Sequence, residues 1–532
     1  MRDDPRLIRR RAGQPLLLGI VLMASLLQAA TASTLDESQV RGKQIYFSGT
    51  SARGNDINAV VGVEATVLPA MALPCVNCHG YDGLGRPEGG VIPTDIRWSQ
   101  LIKNYGHVHE HGRRHGPYDE ASLGRTIISG VDPAGNRLDA SMPTYLMAAE
   151  DLADLVAYMK VLENDADPGI EENRVRVATL LPTSGRAAAL GQAMEAALQA
   201  SFADVNERGG VFGRKIELVT VPLGETPEQS LANLEKVINN PGVFALVSGY
   251  TIGLDDALLD RLRYDKLPLV GPFTLEPGDS YLDAAAFYLY PGFKEQVRAL
   301  ADQAVEDAGG AGRFIVAAPA DGQHDDLAKV AGRQLLSRSK QAATTAAYAR
   351  GDAASLVKEV QGEGGAEAVF FFGSKGDLDA LLAALAARGL APKIYLLASQ
   401  LSGPPFDAPR AFDGRIFVAH PTTSSDISES GRKYYGDLAS RYGLPQGHVQ
   451  AQAAAFAAAS VFIEGLRRAG RDLSRIRLVD GIEALYNFET GFTPPLVYGP
   501  NERIGAKGAH VLVVDLENRR YAPVGSGWRV IR

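Results

Sequence analysis

Cysteine is scarce. The 532 residues contain only Cys75 and Cys78, so no disulfide framework braces the fold, and stability must come from packed cores and whatever is bound in them. Long apolar runs are also lacking. Leu16–Leu27 falls short of the ~20 residues that a membrane-spanning helix needs, and no later segment reads as apolar for long enough. Positive charge is in deficit, with 54 Lys and Arg against 62 Asp and Glu for a net −8. An acidic surface argues against nucleic acid and anionic lipid as partners. Catalytic signatures are missing too: no GxSxG elbow, HExxH, Walker A loop or clear dinucleotide fingerprint stands at a strand–helix junction. The expectation is therefore a protein that is not an enzyme. The remaining composition, 45% hydrophobic and 22% charged, is that of a soluble globular chain long enough for two or three domains.

What is present begins with an export signal. Arg6, Arg9, Arg10 and Arg11 precede the short apolar stretch, and Ala30-Thr31-Ala32 supplies a small-x-small cleavage pattern. Residues 1–32 thus read as a signal peptide, with a mature start near Ser33 and a periplasmic destination. Its removal takes away five Arg and two Asp and leaves a chain of about −11.

Cys75 and Cys78 lie in CVNCHG. Cys-x-x-Cys-His is the spacing that attaches haem c: each thiol adds to one vinyl group, and the adjacent His79 falls beneath the iron. A thioredoxin-type disulfide would sit in a βαβ context, which is missing here. A zinc site would need two more Cys or His ligands at suitable spacing. One covalent haem c is therefore expected, attached at Cys75 and Cys78 and ligated by His79.

The flanking residues resemble the class I cytochrome c family. RGKQIYFSGT (Arg41 to Thr50) is similar to that family's first helix and turn, and CHGYDGLGRPEGG to the glycine-rich loop past the haem edge. The resemblance implies an all-α domain over residues 33–163, a proline whose carbonyl orients the proximal histidine, with Pro93 the candidate, and a methionine as sixth ligand. Met142 in DASMPTYL fits, with Pro143 fixing the loop, ahead of a helix over about Ala149 to Leu162. A His/Met pair raises the potential and fills both axial positions, which favours electron transfer over oxygen chemistry. Trp98 either packs on the haem or a propionate, or is an ordinary core tryptophan. His107, His109, His111 and His115 crowd one stretch. They read as a polar inserted loop in preference to a metal site or an alternative axial ligand.

Residues 164–173 are acidic with a Pro-Gly pair, the composition of a linker. From Arg174 short apolar runs alternate with amphipathic helices: VRVATLL, KIELVTV, VFALVSG, KLPLVGP, RFIVAAP, EAVFFFG, KIYLLAS and RIFVAH. Such alternation implies βαβ units and parallel sheets, and about 350 residues suit two lobes with a cleft better than one sheet. The segment from Leu180 to Val219, with Asp204, Asn206 and Gly209-Gly210-Val211-Phe212-Gly213, resembles the opening of type I periplasmic solute-binding proteins of the branched-chain amino-acid group. Phe492 to Asp515 resembles the closing segment of that family. The resemblance implies that residues 174–532 form an α/β two-lobed domain closing on a small ligand. Loops at the carboxyl ends of strands hold such ligands. By position these are Ser184, Gly185, Tyr250, Thr251, Phe273 and Thr274 from one lobe, and Asp321, His324, Ser374, Lys375 and Gln400 from the other. Lys375 stands where the resemblance would put an acidic or neutral residue, so an organic acid, an alcohol-derived or an aromatic ligand competes with an amino acid on equal terms.

Two functions are compatible with this multidomain chain. In one it is a periplasmic electron carrier, serving a periplasmic dehydrogenase or respiratory cytochrome, whose fused domain couples ligand binding to electron transfer. In the other it is a solute receptor of the ABC-transporter type that delivers ligand to a membrane permease or sensor and carries an accessory haem.

Overall fold

The computed structural model describes residues 35–531 apart from 81, 86, 88–90, 110, 111, 240, 241 and 279–283. The signal-peptide reading of residues 1–32, and His111, therefore lie outside the described residues.

The N-terminal unit is helical. Its first helix, Glu37–Ser48, starts with a capping box between Asp36 and Gln39 and stops at Gly49, whose φ of 64° ends the helix in the left-handed region. It packs across Ala149–Met159, the helix foreseen after Met142. Gly42 lets the two backbones meet: a Cβ there would lie 1.9 Å from the carbonyl oxygen of Asp154. Ile45, Tyr46, Leu155, Val156, Tyr158 and Met159 form the buried seam. Asp154 is 3% exposed and is ringed by donors: Ser38 Oγ at 2.6 Å, Arg41 Nε at 2.8 Å and Arg53 Nη2 at 3.0 Å. The unit also has strands that helical periodicity did not announce. Thr66–Pro69, Asn58–Val61 and Thr144–Leu146 make a small antiparallel sheet, and His107–Val108 pairs with Arg114–His115.

From Arg174 the chain alternates as expected and forms two lobes. In the first, strands Ala286–Phe287, Leu269–Val270, Leu246–Val247, Arg174–Leu181 and Lys215–Pro222 lie side by side in that order, all parallel. In the second, Thr344–Tyr348, Phe314–Pro319, Ala368–Phe371, Lys393–Leu397 and Ile416–His420 are parallel, and Gly508–Asp515 and Arg520–Val530 extend the sheet antiparallel. The chain returns to the first lobe between these parts. Val449–Ala469 buries Phe456, Val461 and Phe462 against Val175, Val177 and Phe202. This corrects the expectation that no later segment is long and apolar enough to span a bilayer. The helix passes by length and hydropathy, but 78% of its apolar window is buried, because its alanine-rich faces let sheet and helices close on it from all sides.

The acidic stretch between the units is packed down. Asp165 takes a hydrogen bond from Tyr158 at 2.8 Å and an ion pair from Lys43 at 2.7 Å. Asp167 accepts the backbone N–H of Arg475 at 2.5 Å, and Ile170 bridges to Val175. At Gly169, φ is 87°, and a Cβ would lie 2.3 Å from the Phe244 nitrogen, so glycine is required twice over.

Candidate functional site

Cys75, Val76, Asn77, Cys78 and His79 form one short helix entered from Pro74 and left at Gly80. Helical spacing sets both thiols on one side of the turn and His79 one residue on. Tyr46 donates to the carbonyl of Gly80 at 2.7 Å, and Tyr145 to that of Leu73 at 2.7 Å, so the helix is pinned at both ends. His79 is buried, and its Nδ1 lies 3.2 Å from the carbonyl oxygen of Thr94. A carbonyl only accepts, so Nδ1 carries the hydrogen and Nε2 keeps its lone pair for a metal. Burial holds the His79 pKa below its usual value, which also keeps the ring neutral.

The orienting carbonyl is thus that of Thr94 and not of Pro93, a correction of one residue. Pro93 lines the same cavity, but its oxygen faces Gly85, where a Cβ would lie 2.3 Å away. Trp98 does not line the cavity. It packs against the outer core of the unit with the Lys160 ammonium 5.9 Å above its ring, the ordinary core role left open by the sequence.

The cavity in front of His79 is lined by both cysteines, Met142 and apolar residues that include Leu101, Leu123, Ile127 and Leu155. Met142 is half-buried in a turn closed by its N–H to Asp139 O at 3.0 Å, with Pro143 buried behind it. Two thiols, a neutral imidazole, a thioether and an apolar slot fit a covalent haem. The histidine stretch also reaches this cavity, which a merely polar loop would not. His107, His109 and His115 line it, with ring centroids 4.9 Å apart for His107 and His115 and 5.1 Å for His109 and His115. His109 Nε2 and His115 Nε2 lie 2.9 Å apart, a hydrogen bond that leaves no room for an ion between them. Among the described residues no group of three His, Cys, Asp or Glu is arranged to hold a metal ion.

A second cavity, of about 180 Å³, lies between the lobes. Phe273, Thr274, Tyr288 and Tyr290 come from the first lobe, Gln296 from the helix Phe293–Asp307, and Ser399, His420 and Thr422 from the second. Of the cleft residues expected from sequence, Phe273 and Thr274 are brought here. Tyr250 stacks behind Phe273 at 6.1 Å, and Thr251 donates to Asp255 at 2.8 Å. Thr274 shares that carboxylate at 3.0 Å. Ser184, Gly185, Asp321, His324, Ser374, Lys375 and Gln400 do not line the cavity. Asp321 is paired with Arg350, Ser374 caps the helix Lys375–Ala386, and Lys375 binds Asp379 at 2.7 Å. Gln400 is displaced by its neighbour Ser399. His420 ends the strand Ile416–His420, so the strand-end rule applied to RIFVAH would have found it.

The two units meet along a groove of about 920 Å³. Across it Arg477 binds Asp82, three residues beyond His79, with Nη2 at 2.8 Å and Nε at 2.9 Å from Oδ2. Lys266 lies 5.9 Å above the ring of Phe47.

Residues 174–515 match the family model described as periplasmic binding protein, and residues 70–163 match that described as cytochrome c. In fold, the chain is similar to a putative branched-chain amino acid ABC transporter from Rhodospirillum rubrum, at 17% identity and TM-score 0.53 over 66% of this chain and 100% of that one. It is also similar to a branched chain amino acid ABC transporter from Thermus thermophilus solved with bound valine, at 17% identity and TM-score 0.50 over 67% and 97%. No curated protein sequence matches the chain.

Proposed function

Because the chain belongs to the periplasmic binding protein family and carries a cytochrome c unit ahead of that domain, we propose that it is an exported electron carrier whose haem responds to occupancy of a small-molecule cleft. A cytochrome c unit implies covalently bound haem c, which supplies one-electron exchange. In this reading residues 1–32 direct export, 33–163 hold one haem, 164–173 join the units and 174–532 bind the ligand. Cys75 and Cys78 would attach the haem through their thiols, and His79 Nε2 and Met142 Sδ would hold its iron. The Thr94 carbonyl fixes the imidazole plane and tautomer. Electrons pass to or from a periplasmic dehydrogenase or respiratory cytochrome, and neither unit is catalytic.

One observation carries this reading. The loop that follows His79 is gripped by Arg477, and Arg477 belongs to the helix Arg475–Glu483 of the first lobe. That helix packs on Val449–Ala469, whose first turns supply Gln450 and Ala454 to the cleft. A ligand that shifts the lobe therefore acts on the loop beside the proximal histidine. The test is the midpoint potential of the full chain, measured with and without a compound that raises the thermal midpoint of the binding domain. Coupling requires a shift, and ligand affinity must then differ by the same free energy between oxidised and reduced protein. An unchanged potential under saturating ligand would leave the two units merely tethered.

A further inference from the structure

The cavity between the lobes is lined by aromatic, apolar and neutral polar residues. Among the described residues that line it there is no Asp, Glu, Lys or Arg. A ligand with a net charge would lose its hydration there and meet no counter-charge. Two buried polar atoms, by contrast, have no partner: Oε1 of Gln296 and Nε2 of His420. Gln296 is 1% exposed, and its Nε2 donates to the carbonyl of Pro291 at 3.3 Å, which fixes the amide so that Oε1 is the free acceptor. Buried polar groups in folded proteins are nearly always satisfied, and both orphans belong to residues lining this one cavity, where a bound molecule would satisfy them. Burial and the nearby His510 push the His420 pKa down to about 4, so the ring is neutral and can donate from Nε2. The walls are otherwise apolar and aromatic, with Phe273, Leu289 and Tyr290. The volume of about 180 Å³ is near that of the ~150 Å³ cavities that take up benzene.

We propose that this cleft takes an uncharged, hydroxyl-bearing molecule with a compact apolar body of about the size of a benzene ring, its O–H donated to Gln296 Oε1 and its oxygen accepting from His420 Nε2. A hydroxyl is the smallest group that donates and accepts at once. This rests on the reading of the domain as a small-ligand receptor and names the ligand class.

The test uses the full haem-loaded chain and four probes in isothermal titration calorimetry at neutral pH: benzyl alcohol, its isosteres benzoate and benzylamine, and L-valine. Benzyl alcohol should bind at least tenfold more tightly than each of the other three. Gln296→Leu should weaken it at least tenfold, with the thermal midpoint of the binding domain unchanged as a check of folding. His420→Phe reads the opposite wall independently, with the same loss. Tighter binding of benzoate, benzylamine or L-valine overturns the ligand class and leaves the receptor reading standing. Binding of none of the four overturns both.

Discussion

Arg477 and Asp82 are 395 positions apart in sequence, yet two guanidinium nitrogens of one converge on a single carboxylate oxygen of the other. Asp82 lies in the loop that passes from the haem-attachment helix, and Arg477 lies in a helix of the first lobe. The pair is partly exposed, with a third of the Arg477 side chain open to solvent, so it contributes about 1 kcal/mol at most. It cannot hold the two units together. It can transmit a bias.

Arg477→Ala should therefore leave the thermal midpoints nearly unchanged and reduce any ligand-induced shift in potential. One kcal/mol is about 40 mV for a one-electron couple, which bounds what this contact can carry. A double-mutant cycle with Asp82→Asn, read by the potential with and without ligand, measures that share. Full coupling in the double variant would show that another route is used.

Met142→Ala should lower the potential by on the order of 100 mV, since axial ligands tune haem iron over ~0.8 V. Haem attachment should persist, because Cys75 and Cys78 are untouched. Carbon monoxide binding to the reduced variant is the direct readout. A variant with unchanged spectrum and potential would remove Met142 as a ligand and turn attention to the histidines that share its cavity.

Acid should weaken the cytochrome unit in two windows. Burial, with help from Arg113, pulls His109 down to about 4. Between its unfolded value near ~6.5 and about 4 the unfolded chain binds the extra proton, so stability falls as pH drops through that range. Hydrogen bonds from Arg41, Ser38 and Arg53 hold Asp154 at about 2. Its contribution is complete above the unfolded value and is lost as pH falls towards 2. His109→Gln should flatten the first window, and Asp154→Asn should remove the second while lowering stability at pH 7 by roughly 2 kcal/mol. Thermal melts followed at the haem band from pH 7 to 2 separate them.

The binding domain should respond in the opposite sense. Burial, reinforced by Glu295, raises Glu276 to about 7, and the carboxylate accepts the N–H of Phe293 at the start of the helix Phe293–Asp307. A raised carboxyl favours folding below its unfolded value, and that advantage disappears as pH rises through 7. Glu276→Gln should make the melting temperature of this domain less dependent on pH between 5 and 8. An unaltered slope would show that Glu276 stays ionised throughout.

How much of this was legible follows distance along the chain. CVNCHG could be read at once, because five consecutive residues supply both attachment points and one ligand. Met142 was expected from the family resemblance, the proline after it and the helix that follows, and it lines the cavity in front of His79. The carbonyl that orients His79 was misplaced by one residue, since a backbone oxygen leaves no mark in side-chain identity. The βαβ rhythm gave both sheets, yet of the expected cleft residues only Phe273 and Thr274 line the cavity between the lobes. Every strand has a carboxyl end, and only the packing of two lobes decides which ends face each other. Ser374 and Asp321 follow strands as faithfully as His420, but they are spent on a helix cap and an ion pair. The Asp82–Arg477 contact had no signal at all, because neither residue differs locally from any surface charge.

The helix Val449–Ala469 also bears on how the chain reaches its native state. Strand Arg174–Leu181 emerges early, but Phe456 and Phe462, which cover it, arrive some 280 residues later. Until then the helix Ala188–Glu207 covers only part of the strand's apolar face, and the part that Phe456 and Phe462 close stays open. Contacts this remote slow folding and prolong the exposure of surfaces prone to aggregate. The cytochrome unit, by contrast, closes within its own 130 residues or so. Haem attachment and folding of the first unit can thus finish while the second is still waiting for its own end.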